Sequence, residues 1–164
     1  MRLDPETDSQ NVIYINSLSL VDITLSLDTN IYASGDVLAA TQEVAGAVRL
    51  VGGTGVIQSL VVLDKDDLAL ALDIVFLQTN VSIGTENDAV SITDTNAGQI
   101  LGIVEIAASD YVDLVGSQLA TMGSLSILAK AATISTSLFV AAISRAAGTY
   151  SAAGITLKIG ILRD

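Results

Sequence analysis

Cysteine, histidine and tryptophan are missing from this 164-residue chain, and proline occurs once, at Pro5. Without cysteine there is no disulfide, no thiolate nucleophile and no thiolate metal site. Without histidine there is no imidazole base near neutral pH and no imidazole ligand. Positive charge is also scarce: 7 Lys+Arg stand against 18 Asp+Glu, a formal charge of -11. The seven cations (Arg2, Arg49, Lys65, Lys130, Arg145, Lys158 and Arg163) are scattered singly. Phosphate binding needs them clustered, so no nucleic-acid partner is expected. A membrane-spanning helix needs about 20 apolar residues. The longest nearly unbroken run, Leu68 to Leu77, falls well short and contains Asp73, so no membrane partner is expected. Met1 to Gln10 is polar and acidic, unlike a secretory leader.

Apolar residues, by contrast, make up 51% of the chain. A domain of this length buries about 70% of the surface it exposes unfolded, and needs no disulfide or metal to hold it. The apolar surplus points to burial between copies of the chain, where an obligate interface resembles a core cut in half. The plainer alternative is a β core whose strands are buried on both faces.

Period-two alternation dominates. Ile13 and Ile15, Leu18 and Leu20, then Ile23, Leu25 and Leu27 are separated mainly by Ser, Asn, Asp or Thr, the pattern of half-buried strands. Further strands are predicted at Ala47–Val51, Val56–Leu63, Leu70–Leu77, Ile100–Ala107, Leu125–Ile134, Leu138–Ser144 and Ile155–Leu162. Turn-forming clusters separate them: Asp28–Asn30, Ala33–Asp36, Gly52–Gly55, Thr93–Gly98 and Ala147–Gly148. Asp64–Asp67 reads as a hairpin connection. Asp110–Gln118 reads as one short helical turn, and Ala129–Ala132 suits helix or strand. The expectation is an all-β β-sandwich or jelly-roll of about eight strands. One domain spans residues 12–164, preceded by an extended N-terminal arm at 1–11.

No motif carries catalytic chemistry. Gly52-Gly-Thr-Gly55 lacks the spacing of a phosphate loop and precedes a strand, so it reads as turn geometry. Asp64, Asp66 and Asp67, like Asp94 and Asn96, break the spacing of a calcium loop and read as solvated carboxylates. A glycosidase needs paired carboxylates in a cleft, and aromatics to seat a sugar are only 4% of the chain. Tyr14, Tyr32, Tyr111 and Tyr150 offer at most a weaker glycan surface. No serine lies in a nucleophile elbow, and a Ser–Lys pair using Lys65, Lys130 or Lys158 has no support in the spacing. No catalytic, cofactor-binding or metal-binding residue is named, and the chain is not expected to be an enzyme.

Three stretches resemble small structural proteins of tailed bacteriophages, of the capsid decoration or cement type. They are Ile31–Leu38; Gly53–Asp64 followed by Leu72–Asn80; and Asn87–Ala89 with Asp94 and Ile100–Val104. The likeness covers roughly residues 31 to 105. Where that family often has a proline after the strand of Phe76, this chain has Val81-Ser-Ile-Gly84. The resemblance implies a virion component on the capsid surface, made in the host cytoplasm, without catalytic residues or cofactor. Its partners would be itself, as a homotrimer, and the major capsid protein. Two alternatives are a tail-tube, tail-completion or head–tail connector subunit, and a glycan- or surface-binding module of a fibre.

Overall fold

The computed structural model describes residues 18–163, so the expected arm at 1–11 and the alternation at Ile13 and Ile15 lie outside the described residues. Nine strands follow in order: β1 (Leu18–Thr24), β2 (Val37–Val44), β3 (Thr54–Asp64), β4 (Leu72–Leu77), β5 (Ile100–Ile106), β6 (Tyr111–Asp113), β7 (Gln118–Lys130), β8 (Leu138–Ser144) and β9 (Ile155–Arg163). Among the described residues there are one α-helical turn, α1 (Asp94–Ala97), which starts where the Thr93 hydroxyl accepts the Asn96 N–H, and one 3-10 turn at Ala108–Asp110.

The strands form two sheets, ordered β1-β9-β3-β7-β6 and β2-β8-β4-β5, and every pairing within them is antiparallel. The pairings are nested: β4 with β5, β3 with β7, β2 with β8, β1 with β9. The chain is thus one long antiparallel ribbon, folded back at the β4–β5 connection. It is rolled so that β9 also meets β3 and β8 also meets β4. A ribbon rolled this way is a jelly roll, as the alternation predicts.

Alternation explains the core between the sheets. Ile155, Leu157, Ile159 and Ile161 of β9 point inward, against Leu72, Ile74 and Phe76 of β4 and Val140 and Ala142 of β8. β4 is buried along its whole length because its other face is covered too. Val75 and Leu77 there pack with Ala141, Ile143 and Ile83, the last from the connection between β4 and β5. That long connection brings Val81, Val90 and Ile92 over the same face, so the centre of the four-stranded sheet, β4 with β8, is covered by its own chain.

Several expectations are corrected. Ala47–Val51 is a run of turns, because its apolar residues face inward at Ala47 and Val48 and outward at Leu50 and Val51. The missing strand is β2, whose register shifts beside Ala39 and Gln42 break the alternation. Asp64–Asp67 closes no hairpin, since it carries the chain from one sheet to the other. The segment after Asp110 is β6 and a tight turn rather than a helix, and β7 begins at Gln118 and ends at Lys130. Inside β7, Ser124 and Ser126 take positive φ (57° and 54°), and residues 124–126 bulge opposite Gln58.

Phe76 is fully buried, whereas Ile103 on β5 is 48% exposed. Phe76→Ala is expected to lower unfolding free energy by about 3–5 kcal/mol, and Ile103→Ala by less than about 1 kcal/mol. Urea titration of both variants checks the contrast.

Candidate interaction surface

The outer face of the five-stranded sheet differs from that of its partner, because no described residue covers it. Across its width, Leu18 of β1 lies opposite Leu162 of β9, Leu162 opposite Val56 of β3, and Val56 opposite Leu128 of β7. Four aliphatic side chains therefore form one cross-strand row. Leu18 is 75% exposed and Leu128 76%. Below the row, Gly160, Ser59 and Gly123 align in register beside Leu20, followed by the exposed ion pair of Lys158 with Asp22 at 2.7 Å. Farther along, Leu63, Leu119 and Val112 form a second apolar row.

The first row ends in a shallow hollow of about 500 Å³ whose wall includes Val56, Leu128, Leu162, Lys130 and Arg163. Arg163 donates from Nη1 to the Gly46 carbonyl (3.2 Å), while its Nε is buried with no hydrogen-bond partner. An aliphatic floor with two cationic side chains suits an apolar segment carrying a carboxylate. A sequence signal for this row exists. Val56-Ile57, Ile127-Leu128 and Ile161-Leu162 are adjacent apolar pairs in period-two strands, and one member of each must face outward.

Of the carboxylates singled out in the sequence, Asp64, Asp66 and Asp67 hold backbone and side-chain partners, while Asp94 is exposed as expected. Asp64 is fully buried, not solvated as expected. Its Oδ1 accepts the Asp66 N–H at 2.9 Å, and its Oδ2 accepts those of Leu68 (2.9 Å) and Ala69 (2.8 Å). It holds a turn in which Asp67 and Ala69 both take positive φ. Asp66 accepts the Ser151 N–H and hydroxyl, and Asp67 accepts Gln118 Nε2. Asp94 and Asn96 lie in α1, where Asn96 Nδ2 donates to the Ser82 carbonyl. Among the described residues, no group of three or more Asp or Glu is placed to hold a metal ion. Lys65 donates to the Ala153 carbonyl and Lys158 is held by Asp22, while Lys130 lines the hollow. A second hollow contains the buried Asp73, to which Arg145 donates from Nε (2.7 Å) and Nη2 (2.6 Å). Asn therefore replaces Asp poorly at position 64: with a single acceptor oxygen it leaves a half-buried N–H unpaired. Asp64→Asn is expected to cost about 1–3 kcal/mol in urea unfolding, with no dependence on added calcium.

The tyrosines turn inward. Tyr32 and Tyr150 are buried with ring centroids 6.5 Å apart, Tyr111 is half-buried, and Tyr14 lies outside the described residues. No aromatic side chain is exposed among the described residues, which removes the aromatic platform that a glycan surface would use. Burial pushes the Tyr150 phenol well above its ordinary range, and the nearby Asp64 carboxylate adds to the shift. Its hydroxyl has no hydrogen-bond partner. A raised folded-state pKa keeps the proton on folded Tyr150 after the unfolded chain has lost it, near pH 10. Its contribution is thus complete below pH 10 and lost above, by about 1.4 kcal/mol per pH unit. Tyr150→Phe is expected to leave neutral-pH stability unchanged or higher and to flatten the alkaline decline. Urea unfolding at pH 8 and pH 11 measures both.

No protein-family model and no curated protein matches the chain. Among solved structures it is similar to a chain from the X-ray structure of Tomato Aspermy Virus, at 10% identity and a TM-score of 0.38, covering 90% of this chain and 77% of that one. It is also similar to a chain of Desmodium yellow mottle tymovirus, at 16% identity and a TM-score of 0.30, covering 88% and 79%. For the subviral particle of infectious bursal disease virus the identity is 11% and the TM-score 0.22, covering 89% of this chain and 41% of that one. Superpositions this loose carry no argument, and the jelly-roll assignment rests on strand pairing alone.

Proposed function

We propose that the chain is a structural subunit of a virion, a capsid decoration or cement protein of the tailed-phage kind that acts as a homotrimer and binds the major capsid protein. The observation that carries this is the aliphatic row Leu18–Leu162–Val56–Leu128, left exposed on one outer face while the centre of the other is covered by the β4–β5 connection. Exposed apolar patches of this sort mark association surfaces. Jelly rolls serve in viral capsids, lectins and cupins. The inward tyrosines weigh against a sugar-binding face, and a chain without histidine lacks the imidazole ligands of a metal-dependent enzyme. Function on this scaffold belongs to its surface rather than to the fold itself.

The mechanism is mechanical. Apolar area buried between subunits contributes about 25 cal/mol per Å² before ordering and desolvation costs, and parting the joint forfeits it. A second reading, a tail-tube, tail-completion or connector subunit, predicts hexameric rings or tubes. The arm at 1–11 belongs to the proposal as a further contact to the shell or a sister copy.

Light scattering on the purified protein is expected to give three times the chain mass, and the trimer is expected to bind emptied, undecorated heads. Leu128→Asp places an unpaired carboxylate in the row and is expected to weaken self-association at least about 100-fold. A monomer at all concentrations, or hexamers and tubes, would remove the trimer reading.

A further inference from the structure

The two ends of the sandwich are unlike in charge and shape. At the end where β3 starts and β7 and β9 finish, Lys130 and Arg163 line the hollow, and Arg49 is exposed on the adjoining β2–β3 turn. Among the described residues, the strand-end carboxylate there, Glu43, accepts a hydrogen bond from the Ser137 hydroxyl. At the opposite end lie Asp66, Asp67, Asp110 and Asp113, three of them exposed. Of the cations near that end, Arg145 is paired with Asp73 and Lys65 donates to the Ala153 carbonyl, so the four carboxylates outnumber the one uncompensated cation.

The acidic end also carries an apolar tip. The turn between β6 and β7 is closed by the Leu114 N–H donating to the Ser117 carbonyl, and by the Val115 N–H donating to Asp113 Oδ1. Val115 (φ 62°) and Gly116 (φ 108°) both take the left-handed conformation, which a β-branched residue rarely adopts. Val115 is 94% exposed, with Val112 at 62% and Leu114 at 52% beside it. Strain of this kind in an apolar, solvent-facing side chain points to a use outside the monomer. β7 runs from this tip to the hollow, 13 residues or about 40 Å away.

We infer that the chain self-associates head to tail: the β6–β7 tip of one copy seats Val115 and Leu114 against the Val56, Leu128 and Leu162 floor of the next copy's hollow. Asp113 then faces Lys130 and Arg163. The occupant is a second copy because tip and hollow match in apolar character and are opposite in charge. The two patches differ, so the contact is heterologous, and it closes into a ring such as a trimer if the rotation between copies permits. This rests on the homo-oligomer part of the proposed function and adds which surfaces meet.

The absence of cysteine makes the test direct. Val115→Cys and Leu128→Cys, each at an exposed position, are made in separate chains, mixed and oxidised at a concentration where light scattering shows the oligomer. The expected product is a disulfide joining position 115 of one chain to position 128 of another, at least tenfold over either like-with-like dimer. Predominance of like-with-like dimers, or no cross-link above that of the monomeric protein while the oligomer persists, overturns the head-to-tail contact and leaves the homo-oligomer standing. A monomer by light scattering removes both. As a second measurement, Asp113→Lys and Lys130→Asp each weaken association at least tenfold, and the chain carrying both regains it. Failure of the double variant to recover, with its unfolding transition intact, also overturns the contact.

Discussion

Two internal ladders, β3 with β9 and β4 with β8, hold the rolled ribbon closed. The nested pairs on their own make only an extended antiparallel ribbon with two free edges and no interior. Joining β9 to β3 and β8 to β4 pairs the backbone groups of those edges and sets the two sheets face to face. Everything else depends on that closure: the aliphatic core, the burial of Phe76 and Tyr150, and the alignment of four strands that places Leu18, Leu162, Val56 and Leu128 in one row.

The two outer faces show how one composition serves two ends. The surplus of apolar residues noted in the sequence divides between them. On the four-stranded sheet it is absorbed by the connection bearing Val81, Ile83, Val90 and Ile92, which is the doubly buried strand arrangement weighed as the plainer alternative. On the five-stranded sheet it is left outside, which is the arrangement expected of a chain that buries surface against other copies. The plainer reading of the composition holds at the centre of the four-stranded sheet, and the five-stranded sheet carries the remainder as exposed aliphatic surface.

Much of the fold was legible because alternation survives wherever one strand face is wet. β1, β3, β5, β8 and β9 fall within a residue or two of their predicted bounds or inside them, and β4 sits at the end of its run. β2 was hidden by its register shifts and by Ala39 and Ala40, too small to mark a side. The first half of β7 was hidden by Gly123 and the serines of its bulge. The pairing of β3 with β9, far apart in sequence, leaves no local trace, so Asp64–Asp67 looked like a hairpin. The exposed aliphatic row was less legible than the core. Adjacent apolar pairs such as Ile127-Leu128 hint at an outward aliphatic residue, but only strand register shows that the outward members meet. The burial of Asp64 could not be read from an acidic run either, since its solvent is replaced by three backbone N–H groups of the following turn.

The place of β9 has a consequence for how the molecule is made. It lies between β1 and β3 and is synthesised after both. On the ribosome, β1 therefore waits without its neighbour while all the intervening strands emerge, and the exposed edge of β3 waits with it. Pairings this distant along the chain form slowly, and unpaired edges are templates for the wrong partner. The nascent chain must tolerate that interval in crowded company. The single stroke of adding β9 ends it, joining β1 to the rest of its sheet and leaving only β1 and β6 at the edges.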